Sequence, residues 1–399
     1  MRLYNTLSRQ IETLDFPLGE VKMYVCGITP YDTSHLGHAR VGVVYDTLRR
    51  YLEHLGLRVR YVQNVTDIDD PLFERAKRDG ISWQELGAQQ TQRFLTALAR
   101  LNVVRPEYYV PASSMIPQIQ RVVAQLIELE HAYVRDGAVY YRAASMSNFG
   151  QLAHADYPRL LEMANEMGNN PNDPRKLDPL DFVLWQPSSA DEPAWDSPWG
   201  PGRPGWHIEC STMATEYLGP QIDIHGGGAD LIFPHHACEI AQAEPVTGVA
   251  PFVRCWMHTG LVALGGTKMS KSLGNMVFVE EVLERHSAAA LRLAILNYVY
   301  REPFEYSWQA VAHAERQAQT LAEARAAASG TGDTLNSDAQ FTRFLAALDN
   351  DFNTPTAITV AVELAEQIIT AGKAGGDISS AQQVLREMCD VLGVVPADQ

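Results

Sequence analysis

At 399 residues the chain can bury two or three cores, and 46% hydrophobic with 20% charged residues is the composition of an ordinary globular protein. Lys and Arg number 32 against 48 Asp and Glu, a formal charge of -16, so no global basic field draws nucleic acid, although a local basic groove is compatible with that balance. No apolar run of about 18 residues and no basic, apolar, small-residue leader is present, which points to the cytoplasm; five scattered cysteines (26, 210, 238, 255 and 389) exclude a disulfide framework and leave metal ligation, catalysis or burial.

In chain order, V-K-M-Y-V-C-G predicts a strand that ends near Cys26. A helix beginning near His38 runs through V-V-Y-D-T-L-R-R-Y-L-E-H-L-G and closes at Gly56, and V-R-Y-V-Q-N-V-T-D is a second strand. Together they make a βαβ unit of a parallel sheet, with the site expected at the carboxyl ends of the strands. From about Pro106 to Trp185 the pattern loosens and includes the turn-rich N-E-M-G-N-N-P-N-D-P-R-K-L-D-P, read as an insertion between two halves of the sheet. Sheet-like sequence returns in G-W-H-I-E-C, Q-I-D-I-H-G-G-G-A-D and F-V-R-C-W-M-H-T-G. After Lys271 the periodicity is helical, interrupted near 329–338 by a loop.

H-L-G-H at 35–38 follows a strand and opens a helix, so backbone donors and two imidazoles face an anionic ligand, or else form a structural histidine pair. K-M-S-K-S at 268–272 is a loop suited to gripping phosphates as charge develops, or a solvated loop. The two together resemble the signature pair of class I aminoacyl-tRNA synthetases. G-R-P-G-W-H-I-E-C-S at 202–211, D-I-H-G-G-G-A-D-L-I-F-P-H-H at 223–236, W-M-H-T-G at 256–260 and D-F-N-T-P at 351–355 are similar to the cysteine-specific branch, across essentially the whole chain.

The resemblance implies an α/β fold: a Rossmann-like parallel-sheet catalytic core with an insertion, followed by an α-helical bundle. The expected divisions are 1–105 for the first half of the core, 106–185 for the inserted connective region, 186–275 for the second half with the K-M-S-K-S loop, and 276–399 for the bundle. It also implies one zinc ion holding the substrate thiol, with Cys26, Cys210, His235 and Glu239 at the matching positions. Their spacing is no zinc finger; only His235 and Glu239, four apart, give a local cue, and by composition alone burial is the plainer reading of Cys26. Zinc would select cysteine over serine by soft-ligand chemistry rather than shape, and would lower the thiol pKa. The implied reaction is in-line attack of the cysteine carboxylate on the α-phosphate of ATP, with magnesium, and loss of pyrophosphate.

By the same resemblance, His35 and His38 contact ATP phosphates and Lys268 with Lys271 stabilises the charge on the transferring phosphate. Gly228, Ala229, Asp230, Val262, Ser270 and Ser272 belong to the nucleotide site. Trp206 walls the cysteine and adenylate site with Gly27, Ile28, Thr29, Asn64, Val65 and Thr66, although Trp206 and Val65 read equally well as core. Cys255 and Cys389 are assigned to packing, as is Cys238, which has no evident role beside two proposed ligands. A catalytically silent paralogue acting as a binding module is the third reading, and the intact motifs speak against it.

The acceptor divides the resemblance. Cysteine-tRNA ligases are expected to continue into an anticodon-reading domain, for which the sequence after V-L-R-E-M-C-D-V-L-G-V-V-P at 384–396 leaves no room. Mycothiol ligases resemble the same core without that module. C-G-I-T-P-Y-D, H-L-G-H and E-M-G-N-N-P at 166–171 lean towards them, with Met167 in place of the usual arginine. Glu239, H-I-E-C-S-T-M-A and K-M-S-K-S-L-G-N lean towards the tRNA enzymes, and Val41 replaces a threonine usual in both. On this balance the expected acceptor is the amine of glucosaminyl-inositol, with tRNA as the alternative.

Overall fold

A computed structural model describes residues 1–31, 34–190, 192–269 and 273–394. A hairpin of β1 (Arg2–Asn5) and β2 (Gln10–Thr13) precedes β3 (Glu20–Ile28), α1 (Leu36–His54) and β4 (Arg58–Val65). Helices α2 (Asp70–Asp79) and α3 (Trp83–Arg100) lead to β5 (Tyr108–Pro111) and α4 (Ile116–Glu128). Strands β6 (Ala132–Arg135) and β7 (Ala138–Tyr141), helix α5 (Tyr157–Glu166), and strands β8 (Phe182–Pro187) and β9 (Gly202–Pro204) follow. Then come α6 (Trp206–Leu218), β10 (Ile222–Gly228), α7 (Ala237–Thr247) and β11 (Val253–Thr259). Short strands β12 (Val262–Leu264) and β13 (Thr267–Lys268) precede α8 (Val279–Leu283), α9 (Ala288–Leu296) and β14 (Phe304–Tyr306). The chain continues through α10 (Trp308–Ala326), α11 (Asp338–Asp349), α12 (Thr354–Lys373) and α13 (Ser379–Leu392).

The central sheet has the order β11-β10-β3-β4-β5, and every pairing in it is parallel. Its strands are apolar on both faces because helices cover both. On one face Val25, Val43 and Leu48 join Leu291, Leu321, Leu364 and Leu385 of the C-terminal helices in one core. On the other, Tyr24, Cys26 and Val62 pack with Ile208, Cys210, Ile240 and Trp256. Cys255 and Cys389 are buried in the first of these cores. The C-terminal helices are tied down by the fully buried Arg292, which bonds Asp46 and Thr47 of α1 and the carbonyl oxygens of Leu101 and Leu392.

The architecture is the α/β parallel-sheet core with a helical C-terminal part that the sequence implies, and strand pairings cross three of the expected divisions. The 105/106 division falls before β5, which pairs with β4 inside the central sheet (Val62 opposite Tyr108). The 185/186 division cuts β8, which pairs with β9 (Trp185 opposite Pro204) in an antiparallel sheet ordered β6-β7-β8-β9. The region after 276 is not wholly helical, since β14 pairs with β12 (Val262 opposite Phe304). Each crossing is made by a strand whose partner is distant in sequence, and turn-rich composition carries no record of such pairing.

Candidate metal and nucleotide site

Cys26 lies near the end of β3, where the strand meets α6 and the turn into α7. Its Sγ is 3.9 Å from Cys210 Sγ and 3.7 Å from Glu239 Oε1. His235 Nε2 is 3.2 Å from Glu239 Oε1, the pair being one helical turn apart across the Ile232–His236 turn that feeds α7. One donor atom from each of the four residues lies within 4.8 Å of the others, and all four residues are buried. The His235 ring is fixed by stacking on Trp206 (centroids 4.3 Å apart, planes at 25°) and by contact of its Nδ1 with His207 Nδ1 at 2.9 Å. Its Nε2 has no hydrogen-bond partner among the described residues.

A second donor set, Cys26, His225, His236 and Glu239, shares two members with the first and meets the same spacing. His225 Nε2 is 2.9 Å from Glu239 Oε2, and His236 Nε2 is 3.3 Å from Cys26 Sγ. A relay runs outward from His236 Nδ1 to His258 Nε2 (2.7 Å) and from His258 Nδ1 to Thr6 Oγ1 (2.8 Å). The sequence reading missed His207, His225, His236 and His258, although each stands inside one of the quoted motifs. The available signal was that four separate segments each bring a histidine to the ends of neighbouring strands.

Burial pushes the Cys26 thiol up, reinforced by Cys210, and raises the Glu239 carboxyl. It lowers the imidazoles, His207 to about 4 and His225 and His258 to about 3. Burial thus disfavours the charged form of both partners in the His225–Glu239 contact. Ionised thiolate and carboxylate are stable in such a dry cluster only beside a cation. Two thiols, an imidazole and a carboxylate, with the His235 nitrogen lacking any other partner, fit a four-coordinate soft divalent metal.

Two cavities lie near this cluster, the first reaching it at Cys26 and the second at Trp206 and His207, which contact His235. The first, of ≈ 240 Å³, is lined by Cys26, Gly27, Ile28, His35, His38, Gly228, Asp230, Val262 and Lys268, as well as by the unforeseen Gln63, Phe94, Thr259 and Gly260. Val41 lines it too, so the missing hydroxyl faces this space. His35 caps α1 by accepting the His38 N–H at Nδ1 (3.4 Å), and the two rings stack at 3.7 Å. Gly37 permits this, because a Cβ there would lie 2.9 Å from His35 Nδ1. Lys268 Nζ is 3.9 Å from Asp230 Oδ2, with both side chains largely solvated, a weak pairing that leaves the ammonium available to an anion. Ser270, Lys271 and Ser272 lie outside the described residues.

The second cavity, of ≈ 810 Å³, is walled on the sheet side by Thr29, Asp69, Trp206, His207 and Cys238, and on the inserted side by Glu166, Met167, Asn169 and Lys176. Cys238 thus packs next to the metal cluster with its thiol pushed up by burial. Asn64, Val65, Thr66 and Ala229 line neither cavity. Asn64 acts one layer behind: its Oδ1 accepts the Gly27 N–H (2.8 Å) and its Nδ2 donates to Thr66 Oγ1 (3.0 Å), bracing the turn after β3. Val65 is buried at the end of β4, and Ala229 opens a short 3-10 turn after β10.

A parallel sheet with both faces covered, an H-L-G-H helix start on a cavity at the strand ends, and a buried metal-ligating cluster beside it define a class I synthetase core. The family model described as tRNA synthetases class I (C) catalytic domain matches residues 15–316, a DALR domain model matches 343–396, and the chain belongs to this class I synthetase family. Within it, the chain is 44% identical over 399 residues to a cysteine-tRNA ligase of Dehalococcoides mccartyi, covering 99% of this chain and 86% of the relative. It is 41% identical over 400 residues to L-cysteine:1D-myo-inositol 2-amino-2-deoxy-alpha-D-glucopyranoside ligase 2 of Corynebacterium jeikeium, covering 99% and 95%. Among solved structures, Mycobacterium tuberculosis methionyl-tRNA synthetase in complex with methionyl-adenylate superposes with TM-score 0.66 at 15% identity over 95% of this chain and 92% of that one. Thermus thermophilus arginyl-tRNA synthetase gives 0.57, also at 15%, over 95% and 82%. The structural likenesses establish the fold.

Proposed function

We propose that the chain is a zinc-dependent, ATP-consuming and AMP-forming cysteine ligase of the cytoplasm, acting with magnesium on ATP. The observation that carries this is a buried cluster of two thiols, an imidazole and a carboxylate whose Cys26 lines the cavity at the H-L-G-H helix start. Cys26, Cys210, His235 and Glu239 would hold the zinc, which when bound supplies a soft thiol contact that serine cannot match. Trp206 stacks on His235 and keeps that ligand's ring in one orientation. The α1 start, with His35 and His38, presents donors to ATP phosphates, and Lys268 adds charge from the opposite wall. The cysteine carboxylate then attacks the α-phosphate in line, displacing pyrophosphate and leaving a cysteinyl-adenylate.

For the acceptor, tRNA takes first place, supported by the 44% identity to a cysteine-tRNA ligase over 99% of the chain. This reverses the order expected from C-G-I-T-P-Y-D, H-L-G-H, E-M-G-N-N-P and the end of the sequence. Glucosaminyl-inositol is kept as a second reading on one observation: Glu166, Met167 and Asn169 of that segment wall the ≈ 810 Å³ cavity, which is sized for a small polyol amine. Cysteine-dependent ATP-pyrophosphate exchange in the presence of zinc tests the activation step, and no exchange would sink it. Labelled cysteine supplied with ATP and either tRNA or glucosaminyl-inositol then separates the acceptors by which product forms.

A further inference from the structure

We propose that His207 donates a hydrogen bond from Nε2 to a hydroxyl oxygen of the cysteine acceptor, the chemistry common to a tRNA terminal ribose and to glucosaminyl-inositol. The inference rests on the cysteine-ligase reading above. His207 is the second residue of α6, and it lines the ≈ 810 Å³ second cavity but not the first. Phe182 meets its ring edge-on (centroids 5.7 Å apart, planes at 75°) and the Trp206 ring lies 5.3 Å away, so the imidazole is held in place. Its Nδ1 is committed to His235 Nδ1 at 2.9 Å. Its Nε2, on the far side of the ring, has no hydrogen-bond partner among the described residues and is not sealed from solvent.

Which nitrogen of His207 carries the proton follows from its neighbour. Two ring nitrogens 2.9 Å apart share one proton, and the role of His235 decides which of them owns it. His235 turns Nε2 to Glu239 Oε1 at 3.2 Å within the candidate donor set, so a metal there takes the Nε2 lone pair and leaves the proton on Nδ1. His235 Nδ1–H then donates to His207 Nδ1, which carries no proton. The His207 proton is therefore on Nε2, and the ring presents a fixed N–H to the second cavity. An N–H in a partly enclosed site calls for an oxygen on whatever fills that site. ATP belongs to the first cavity, at the α1 start, so the molecule filling the second is the acceptor, and a neutral donor suits a neutral hydroxyl. His207 would then serve two molecules at once, orienting the metal ligand His235 with one edge and seating the acceptor with the other.

The test separates the two edges of the ring, because asparagine places its amide near the Nδ1 position and glutamine places its amide near Nε2. His207→Asn keeps an acceptor for His235 and loses the cavity donor. At saturating zinc it should raise the acceptor KM about threefold to tenfold more than it changes the cysteine KM, the range of one neutral hydrogen bond. His207→Gln keeps the cavity donor and loses the partner of His235. It should lower metal affinity, read by chelator competition, about tenfold, and change the acceptor KM less than the Asn variant does. Equal changes in the acceptor and cysteine KM of the Asn variant overturn the assignment, as does a Gln variant whose acceptor KM rises as far as that of the Asn variant. If either variant fails to fold, histidine ring NMR of the zinc-loaded wild type decides: His207 must be the Nε2–H tautomer and its Nε2 signal must move when acceptor is added. The other tautomer, or a signal that stays still, overturns the proposal. Transfer to tRNA and to glucosaminyl-inositol is measured in separate arms, and the effect belongs to whichever acceptor the wild type uses. A wild type with no cysteine-dependent exchange overturns the underlying function and this inference together, whereas an active wild type that fails these comparisons overturns His207 alone.

Discussion

Gly27, between the proposed ligand Cys26 and the pocket residue Ile28, shows how closely single atoms are spaced at this site. A Cβ there would lie 1.9 Å from the Asn64 carbonyl oxygen, which is backbone and has no rotamer to yield. Gly27→Ala is expected to cost about 3 kcal/mol through overpacking and to spread β3 from β4, read as a lower denaturation midpoint. Cys26→Ala should take bound zinc from near one ion per chain to near none. Cys389→Ala, in the bundle core, should leave the metal in place. Full zinc occupancy in the Cys26 variant would refute the donor set. These residues were legible as site members only through motif resemblance, because four candidate ligands drawn from β3, α6, α7 and the turn before α7 leave no spacing signature. Cys238 was legible as an oddity, and its place on the second cavity explains its burial without giving it chemistry.

At the scale of elements, α1 does more than present H-L-G-H. Two residues after His38, the buried Arg40 donates to the carbonyl oxygens of Leu261 (3.3 Å), Val299 (3.2 Å), Tyr300 (3.0 Å) and Glu302 (2.5 Å). Leu261 leads into β12 and lines the first cavity, and β12 pairs with both β13, which ends at Lys268, and β14. One guanidinium thus fastens α1 to the strands that carry Lys268, and residues of both line the first cavity. Burial lowers its pKa to about 10, which leaves it charged at neutral pH. Arg40→Met should cost roughly 3 kcal/mol, since carbonyls lose a charged donor in a dry site. It should also raise the KM for ATP while zinc content is unchanged. An unchanged KM for ATP would confine Arg40 to stability.

Across the whole molecule, the histidine-rich cluster should govern stability in acid. The imidazoles of His207, His225, His235, His236 and His258 are all lowered by burial, so the fold holds them neutral. In the unfolded chain they protonate near pH 6.5. Below that pH the unfolded state binds more protons, so stability falls as pH falls, by up to about 1.4 kcal/mol per pH unit for each imidazole. Asp69 (about 6), Glu209 and Glu239 act in the opposite sense, because burial keeps them protonated in the fold and acid removes that penalty. Below about pH 5.5 each unfolded imidazole and each unfolded carboxylate responds by about one proton per pH unit or less, so the five imidazoles outweigh the three carboxyls, and the metal-free protein should show a lower denaturant midpoint at about pH 4.5 than at about pH 5.5. Equal midpoints would mean that the cluster is solvated in solution.

The sequence by itself determined the βαβ start, the helical C-terminal part and the strand-to-helix turn that carries H-L-G-H. These rest on local periodicity or on short motifs, which a linear chain displays directly. Tertiary structure alone decided that β5 belongs to the central sheet, that Asn64 braces Gly27 rather than lining a cavity, and that four further histidines surround the ligands. It alone showed that Glu209, next to Cys210, is fully buried. Strand pairing, burial and the absence of a partner depend on what the rest of the chain places alongside, and the spacing of residues in sequence does not encode that.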